Sequence, residues 1–358
     1  MNTLLNKTFA TLIFLGSLFS ISSFSLKADQ LLYTVNTGDS TWEVHQLTEN
    51  NIWDTFPITR NGKIVWKGVH KNSGDTEILW WNGKNRIKNI SHNTTSNEFE
   101  PSFDGANICW RTYLCDNDTC EGSIYFYNGN KNKKIVSYDL GPFNPNSGYP
   151  PSWHSLAPTT HNGYVTWAAY DGNDYEIFLW KDNKTIQVTN NDTDDYEPQV
   201  YDGLIAFTGN AGGVVHIYFW NGTGIVNISE NNLAYQKNDD PYLWNGKMVW
   251  SGWVNGTGGN QGSFQIFYYN GIQTVQISAY EGGRNSFEPV LFENMMAWHW
   301  WDGHDWEILL YDGNQITQIT DNEVDDLEVS LDENMMTWHR FTESHGPTEI
   351  MYAKRINK

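Results

Sequence analysis

The chain has 358 residues, with 42 Asp plus Glu against 22 Lys plus Arg, 54 aromatic side chains and only 12 alanines. An aromatic load of that size can bury a large core, which excludes a disordered chain. The formal charge of −20 repels phosphate backbones and anionic lipid surfaces, so nucleic acid is excluded as a partner unless a local basic patch exists.

At the N-terminus, residues 1–28 read as a secretory signal peptide: Lys7, an apolar run from Phe9 to Phe24, and small-residue cleavage choices at Ser23-Phe24-Ser25 or Lys27-Ala28. Cleavage removes two lysines and no acid, leaving 20 basic against 42 acidic residues and a charge of −22. No cysteine stands at the cleavage site, so no lipid anchor is expected. No later stretch approaches the roughly 18 consecutive apolar residues of a membrane span. The expected location is the periplasm or the medium.

From there one phrase recurs. An Asn-Gly or Asp-Gly turn leads into an apolar run ending in an aromatic, then a polar turn, a second aromatic-rich run, another such turn and a short third run. The first-run anchors are Trp66, Trp110, Trp167, Phe207, Trp250, Trp298 and Trp338, spaced 44, 57, 40, 43, 48 and 40 residues apart. Three or four short strands at that period are the signature of propeller blades. The second runs, such as Ile177-Phe178-Leu179-Trp180 and Ile308-Leu309-Leu310-Tyr311, are apolar on both faces, as strands sandwiched between blades require.

A further short segment precedes each anchor: Phe56-Pro57, Glu100-Pro101, a less regular stretch at Ala157-Pro158, Glu197-Pro198, Asp240-Pro241, Glu288-Pro289 and Glu328-Val329. These are seven innermost strands, hence seven blades. The last blade runs out of chain after Ile350-Met351-Tyr352. Val44-His45-Gln46-Leu47-Thr48-Glu49-Asn50 resembles the outer strand Ile316–Asn322 and can complete it. The reading is an all-β chain in which residues 29–358 form a single seven-bladed β-propeller, its ring closed by an N-terminal strand.

The phrase Glu197–Phe207, followed by His216-Ile217-Tyr218-Phe219 and Asn227-Ile228-Ser229, resembles the TolB-like or WD40-like propeller repeats of exported bacterial proteins. That resemblance covers nearly the whole mature chain and implies a fold rather than a chemistry. TolB carries an additional N-terminal α/β domain for which this chain has no room, so its envelope role is not carried over.

Cys115 and Cys120 flank a polar tetrapeptide between two strands and could close a hairpin as a disulfide, while Cys109 reads as a buried free thiol. The one large insertion, Leu140–Pro158, contains Trp153 and His154. Long loops on a rigid scaffold are where binding residues collect.

The residue after each anchor is Lys67, Arg111, Ala168, Thr208, Ser251, His299 or His339. Ring closure makes His299, His339, Lys67 and Arg111 neighbours, a cationic arc with Trp300 and Arg340 beside it. With Trp153 and His154 these form the candidate ligand-binding set, for an anionic or carbohydrate ligand; the competing reading pairs them with acidic loops. Trp81, Trp153, Trp244, Trp253, Trp300, Trp301 and Trp306 lie off the anchor position, and any that are exposed could stack on sugar rings.

The connectors Asp192–Glu197 and Asp321–Asp326 offer hard oxygen donors that calcium could use, but lack the glycine of an EF-hand loop; such side chains also cap turns. The turns Asp171-Gly172-Asn173-Asp174 and Asp302-Gly303-His304-Asp305 read as hairpin chemistry. No metal-ligand set and no cofactor are assigned. No nucleophile elbow, His-Glu-x-x-His motif or phosphate loop is present. The functional expectation is an exported module that binds a protein or glycan through its loop-rich face. The alternative is a polysaccharide lyase on uronate-containing chains, with Lys67 or Arg111 neutralising a carboxylate and a histidine removing a proton. A structural envelope protein without a concave pocket is the third possibility.

Overall fold

The computed structural model describes residues 26–357 except 39, 51, 70–73, 93–96, 116–119, 140–155, 231–236, 257–260 and 281. Seven antiparallel sheets are formed, and no helix is long and apolar enough to cross a membrane. The innermost strands are Asp54–Arg60, Asn97–Phe103, Thr159–His161, Asp195–Tyr201, Asn238–Trp244, Ser286–Phe292 and Asp326–Leu331. Each begins a blade, numbered here 1 to 7 in that order. The following strands of the blade pair outward in sequence, so the chain winds from axis to rim seven times.

The ring closes as the repeat requires. In blade 7 the C-terminal strand Thr348–Asn357 pairs with Ser40–Thr48, with Val44 opposite Ala353 and Gln46 opposite Met351. One strand was not foreseen: Leu26–Thr37 folds back on Ser40–Thr48 and makes this sheet five-stranded. It takes in residues 26–28 at its start; the rest of the signal-peptide reading, residues 1–25, lies outside the described residues.

All seven anchors are at most 2% exposed, and apolar side chains of successive blades pack into clusters between the sheets. Full burial of one such side chain stabilises the fold by roughly 1.5–3 kcal/mol. A polar contact accompanies this packing. The amides of Ile78, Ile177, Ile217, Ile266, Ile308 and Ile350 each donate to a Ser or Thr hydroxyl at or two residues past the end of the outer strand, at 2.8–2.9 Å. In blade 7 that hydroxyl belongs to Thr48, so the same bond joins the two ends of the chain.

A second recurring contact satisfies the anchor indole. Trp66 Nε1 donates to Asp54 Oδ1 at 3.1 Å, Trp250 Nε1 to Asn238 Oδ1 at 3.0 Å, and Trp338 Nε1 to Asp326 Oδ1 at 2.6 Å. Asn50, Asn191 and Asn322 bond the carboxyls of Asp54, Asp195 and Asp326 from the connector behind. These connector side chains therefore act inside the fold. Asn-Gly and Asp-Gly punctuate the hairpins as expected: Asn61-Gly62 and Asp202-Gly203 both hold positive φ at the two central positions, the geometry of a two-residue turn matched to strand twist.

Two outcomes follow from this architecture. Trp42, in the closing strand, is fully buried, so Trp42→Ala should cost about 3–5 kcal/mol in urea unfolding, although it lies in an N-terminal segment. Burial pushes the Asp54 carboxyl up to about 7 against the hydrogen bonds that lower it, and Asp195 likewise to about 7. An acid with a raised folded pKa binds more protons folded than unfolded, so stability falls as pH rises between about 4 and that value. The melting temperature should therefore be higher at pH 5 than at pH 8. Asp54→Asn, which reproduces the residue blade 5 already carries at position 238, should fold and flatten that slope.

Candidate binding site on the propeller axis

Six of the seven innermost strands carry a β-bulge at the same height, between Thr55 and Ile58, Phe99 and Ser102, Tyr196 and Gln199, Asp239 and Tyr242, Phe287 and Val290, and Leu327 and Ser330. At each bulge one residue is left-handed: Phe56, Glu100, Glu197, Asp240, Glu288 and Glu328 have φ of 46–56°. Five of these precede proline, which biases a residue towards extended conformations. Holding a non-glycine residue there stores about 1–3 kcal/mol of strain, and bulges of this kind re-aim side chains. The five acids all line a cavity on the axis, of about 270 Å³.

Neighbouring blades are stitched through these carboxyls. The Phe56 amide donates to Glu328 Oε2 at 2.9 Å, and the Asp240 amide donates to Glu197 Oε2 at 3.1 Å. The Glu288 amide acts on Asp240 in the same manner. Burial, reinforced by the neighbouring acids, raises Glu197 to about 8, Asp240 to about 7 and Glu288 well above its usual value. The Glu288 side chain nevertheless has 44% of its surface accessible, facing the axial cavity.

The post-anchor residues meet this ring. Lys67, Arg111, Thr208, Ser251, His299 and His339 each pair in register with the residue just before the bulge of their own blade, so they stand at one height. Their charge is matched from within. Arg111, 1% exposed, is ion-paired to Glu100, with Nη2 at 2.8 Å from Oε1. His339 Nδ1 lies 3.0 Å from Glu328 Oε2, and His299 Nδ1 lies 3.8 Å from Glu288 Oε2. Burial pulls His299 down to about 3, so it is a neutral imidazole. Lys67 packs its ammonium over the rings of Phe56 and Phe99, at 4.7 and 5.6 Å, and burial lowers its pKa.

The other members of the sequence-derived set are elsewhere. Strand alternation turns Arg340 away from the axis, where it forks onto buried Asp326 at 2.8 and 3.0 Å. Trp300 is 8% exposed and packs against Tyr280, with the Arg284 guanidinium over its ring. Trp81 is buried, Trp306 stands edge-on to His299, and Trp53 is the exposed tryptophan among the described residues, at 43%. Trp153, His154, and the side chains of Cys115 and Cys120 lie outside the described residues, although the backbones of 115 and 120 are directly paired. Cys109 is a free, buried thiol.

The opposite end of the cavity is aromatic and barred. His161 stacks on Tyr201 at 4.0 Å, Tyr201 meets Trp244 at 5.0 Å, and Trp244 meets Phe292 at 4.5 Å. Arg60 reaches across from blade 1: Nη1 donates to Leu331 O of blade 7 at 2.8 Å and Nη2 to the Tyr242 hydroxyl of blade 5, with the guanidinium 6.0 Å from the Trp244 ring. Neither the carboxyl ring nor this bar was singled out from sequence. The available signal was the acid repeated before proline, which marks strands and charge together.

No protein-family model matches the chain, and no curated protein matches it. Solved structures do. The β-propeller domain of the Trilobed protease from Pyrococcus furiosus, described as an open velcro topology, aligns with a TM-score of 0.60 at 10% identity, over 86% of this chain and 95% of that one. An acylaminoacyl peptidase from Pyrococcus horikoshii aligns with a TM-score of 0.58 at 12% identity, over 88% of this chain but 58% of that one. A prolyl endopeptidase aligns with a TM-score of 0.54 at 11% identity, over 86% of this chain and 50% of that one. The chain thus spans little more than half the length of these peptidases. At such identities the likeness is one of fold: the protein is a seven-bladed β-propeller, here with its ring closed by the strand Ser40–Thr48.

Proposed function

We propose that this propeller is an exported binding module that receives a basic segment of a partner protein, a lysine ammonium or arginine guanidinium, at the carboxyl ring on its axis. The observation that carries the reading is the charge balance of the ring. Five inward carboxyls outnumber the cations Lys67 and Arg111, and burial raises three of them, so the ring holds protons that an entering cation would displace. A cation entering there is drawn to the raised carboxyls of blades 4 to 6 and lowers their pKa as it binds. Proline-stiffened bulges hold those groups in place before the ligand arrives, which reduces the ordering cost of binding.

An anionic glycan is the weaker fit. The cations meant to receive it are matched by carboxylates, and Arg111 cannot reach a uronate without breaking its pair with Glu100. The lyase reading loses its electrophile for the same reason, while His299 faces acid rather than an open substrate groove.

Calorimetric titration of the mature protein with an oligolysine peptide, an oligoglutamate peptide and a uronate-rich polysaccharide tests this. Oligolysine should bind, more weakly as salt screens the ring, and Glu288→Gln combined with Asp240→Asn should weaken it at least about tenfold, equivalent to about 1.4 kcal/mol. Preference for the polysaccharide, or oligolysine binding indifferent to both substitutions, overturns the proposal. Release of unsaturated uronate would restore the lyase.

A further inference from the structure

In blade 3 the strand Tyr164–Tyr170 passes through Asp171-Gly172-Asn173-Asp174 into Tyr175–Lys181. Carboxyl oxygens of Asp171, Asp174 and Glu176 lie within 4.8 Å of one another. The turn itself needs only Asp171, whose Oδ1 accepts the Asn173 amide at 2.9 Å and the Asp174 amide at 3.5 Å, while Oδ2 accepts from Gln187 at 3.0 Å. Asp174 has no such task. It is 8% exposed, and among the described residues neither of its buried carboxyl oxygens has a well-formed hydrogen bond, the Asn173 side chain being the neighbouring donor. Glu176 is fully buried; its Oε1 accepts the Asn191 amide at 2.6 Å and its Oε2 is left unpartnered.

Buried acceptors without donors are uncommon in native folds, because each loses its hydration with nothing in return. Here two residues that carry such oxygens, Asp174 and Glu176, each bring a carboxyl oxygen within 4.8 Å of the other and of Asp171. Asp192 and Asp194 of the following connector add negative potential at Asp174, and Asp194 Oδ1 is fixed nearby by the Tyr175 amide at 3.1 Å. Hairpin chemistry accounts for Asp171, and a connector amide for one oxygen of Glu176, as at Glu307 and Glu349; the Asp174 carboxyl and Oε2 of Glu176 remain to be explained.

We propose that Asp171, Asp174 and Glu176 form a calcium site, with both oxygens of Asp174 and Oε2 of Glu176 as its core ligands. An all-oxygen, carboxylate-rich donor set without histidine or cysteine suits a hard divalent cation, and the option of bidentate ligation favours calcium over magnesium. The ion would supply the partner that these buried oxygens lack and lock the top of blade 3 onto the connector that starts blade 4. Blade 6 repeats the sequence as Asp302-Gly303-His304-Asp305-Trp306-Glu307, and Asp305 is also buried and unpartnered. There the oxygens do not gather as in blade 3, and His304 Nδ1 stands 4.0 Å from Asp305. Blade 6 therefore serves as the internal control.

The test is thermal unfolding of the chelator-stripped mature protein, followed by tryptophan fluorescence, with and without millimolar calcium. Binding to the folded state alone should raise the melting temperature by several degrees. Asp174→Asn should abolish the calcium shift, yet melt at or above the wild type in chelator, because it removes an uncompensated buried charge. A residue with only a structural role would destabilise in both conditions. Asp305→Asn should retain the shift. Terbium luminescence excited through Tyr175 should appear in the wild type and be displaced by calcium; this readout needs no variant. Should Asp174→Asn not fold, Glu176→Gln replaces it under the same criteria. Absence of both the calcium shift and terbium luminescence in the wild type, or persistence of the shift in Asp174→Asn, overturns the site.

Discussion

Everything in this molecule depends on the seam in blade 7. Each blade buries its faces against its two neighbours, so pairing the two ends of the chain in one sheet covers surface that an open ring would leave bare. Trp42 and Val44 from the N-terminal strand fill the space beside Met351 and Ala353, and Thr48 supplies the hydroxyl that the Ile350 amide requires. Five blades build their hydroxyl contact from adjacent sequence, whereas this one draws it from residues 302 positions apart. Loop-closure entropy makes that the contact formed against the greatest opposition.

Much of the fold was legible because its signals are local. The anchor aromatics, the apolar second runs and the Asn-Gly turns each report on one hairpin, and repetition at a fixed period multiplies them. The matching of Val44–Asn50 to Ile316–Asn322 identified the closing strand for the same reason. Leu26–Thr37 was missed because it breaks the period: it is an edge strand outside the repeat, and its sequence adjoins an apolar leader-like run that claims the eye first.

The site was legible as a location more than as a chemistry. Repeat phase places Lys67, Arg111, His299 and His339 at one height, but charge balance depends on what faces them from the neighbouring strand. That is decided by a backbone feature, the left-handed bulge residue, which ordinary preferences argue against at Glu100, Glu197, Asp240 and Glu288, each followed by proline. The same alternation that points His339 inward points Arg340 to Asp326, so adjacent residues in sequence serve unrelated ends. The acids near the blade junctions divide similarly: Asp195 and Asp326 receive asparagine side chains within the fold, whereas the oxygens of the turn residue Asp174 are buried without a well-formed hydrogen bond among the described residues.

Arg60 gives the axial cavity a direction. It bonds Leu331 O of blade 7 and the Tyr242 hydroxyl of blade 5, so one side chain of blade 1 ties three blades together at the end away from the carboxyl ring. Carboxyls line one end of the cavity and a guanidinium the other, so its two ends present opposite charge chemistry.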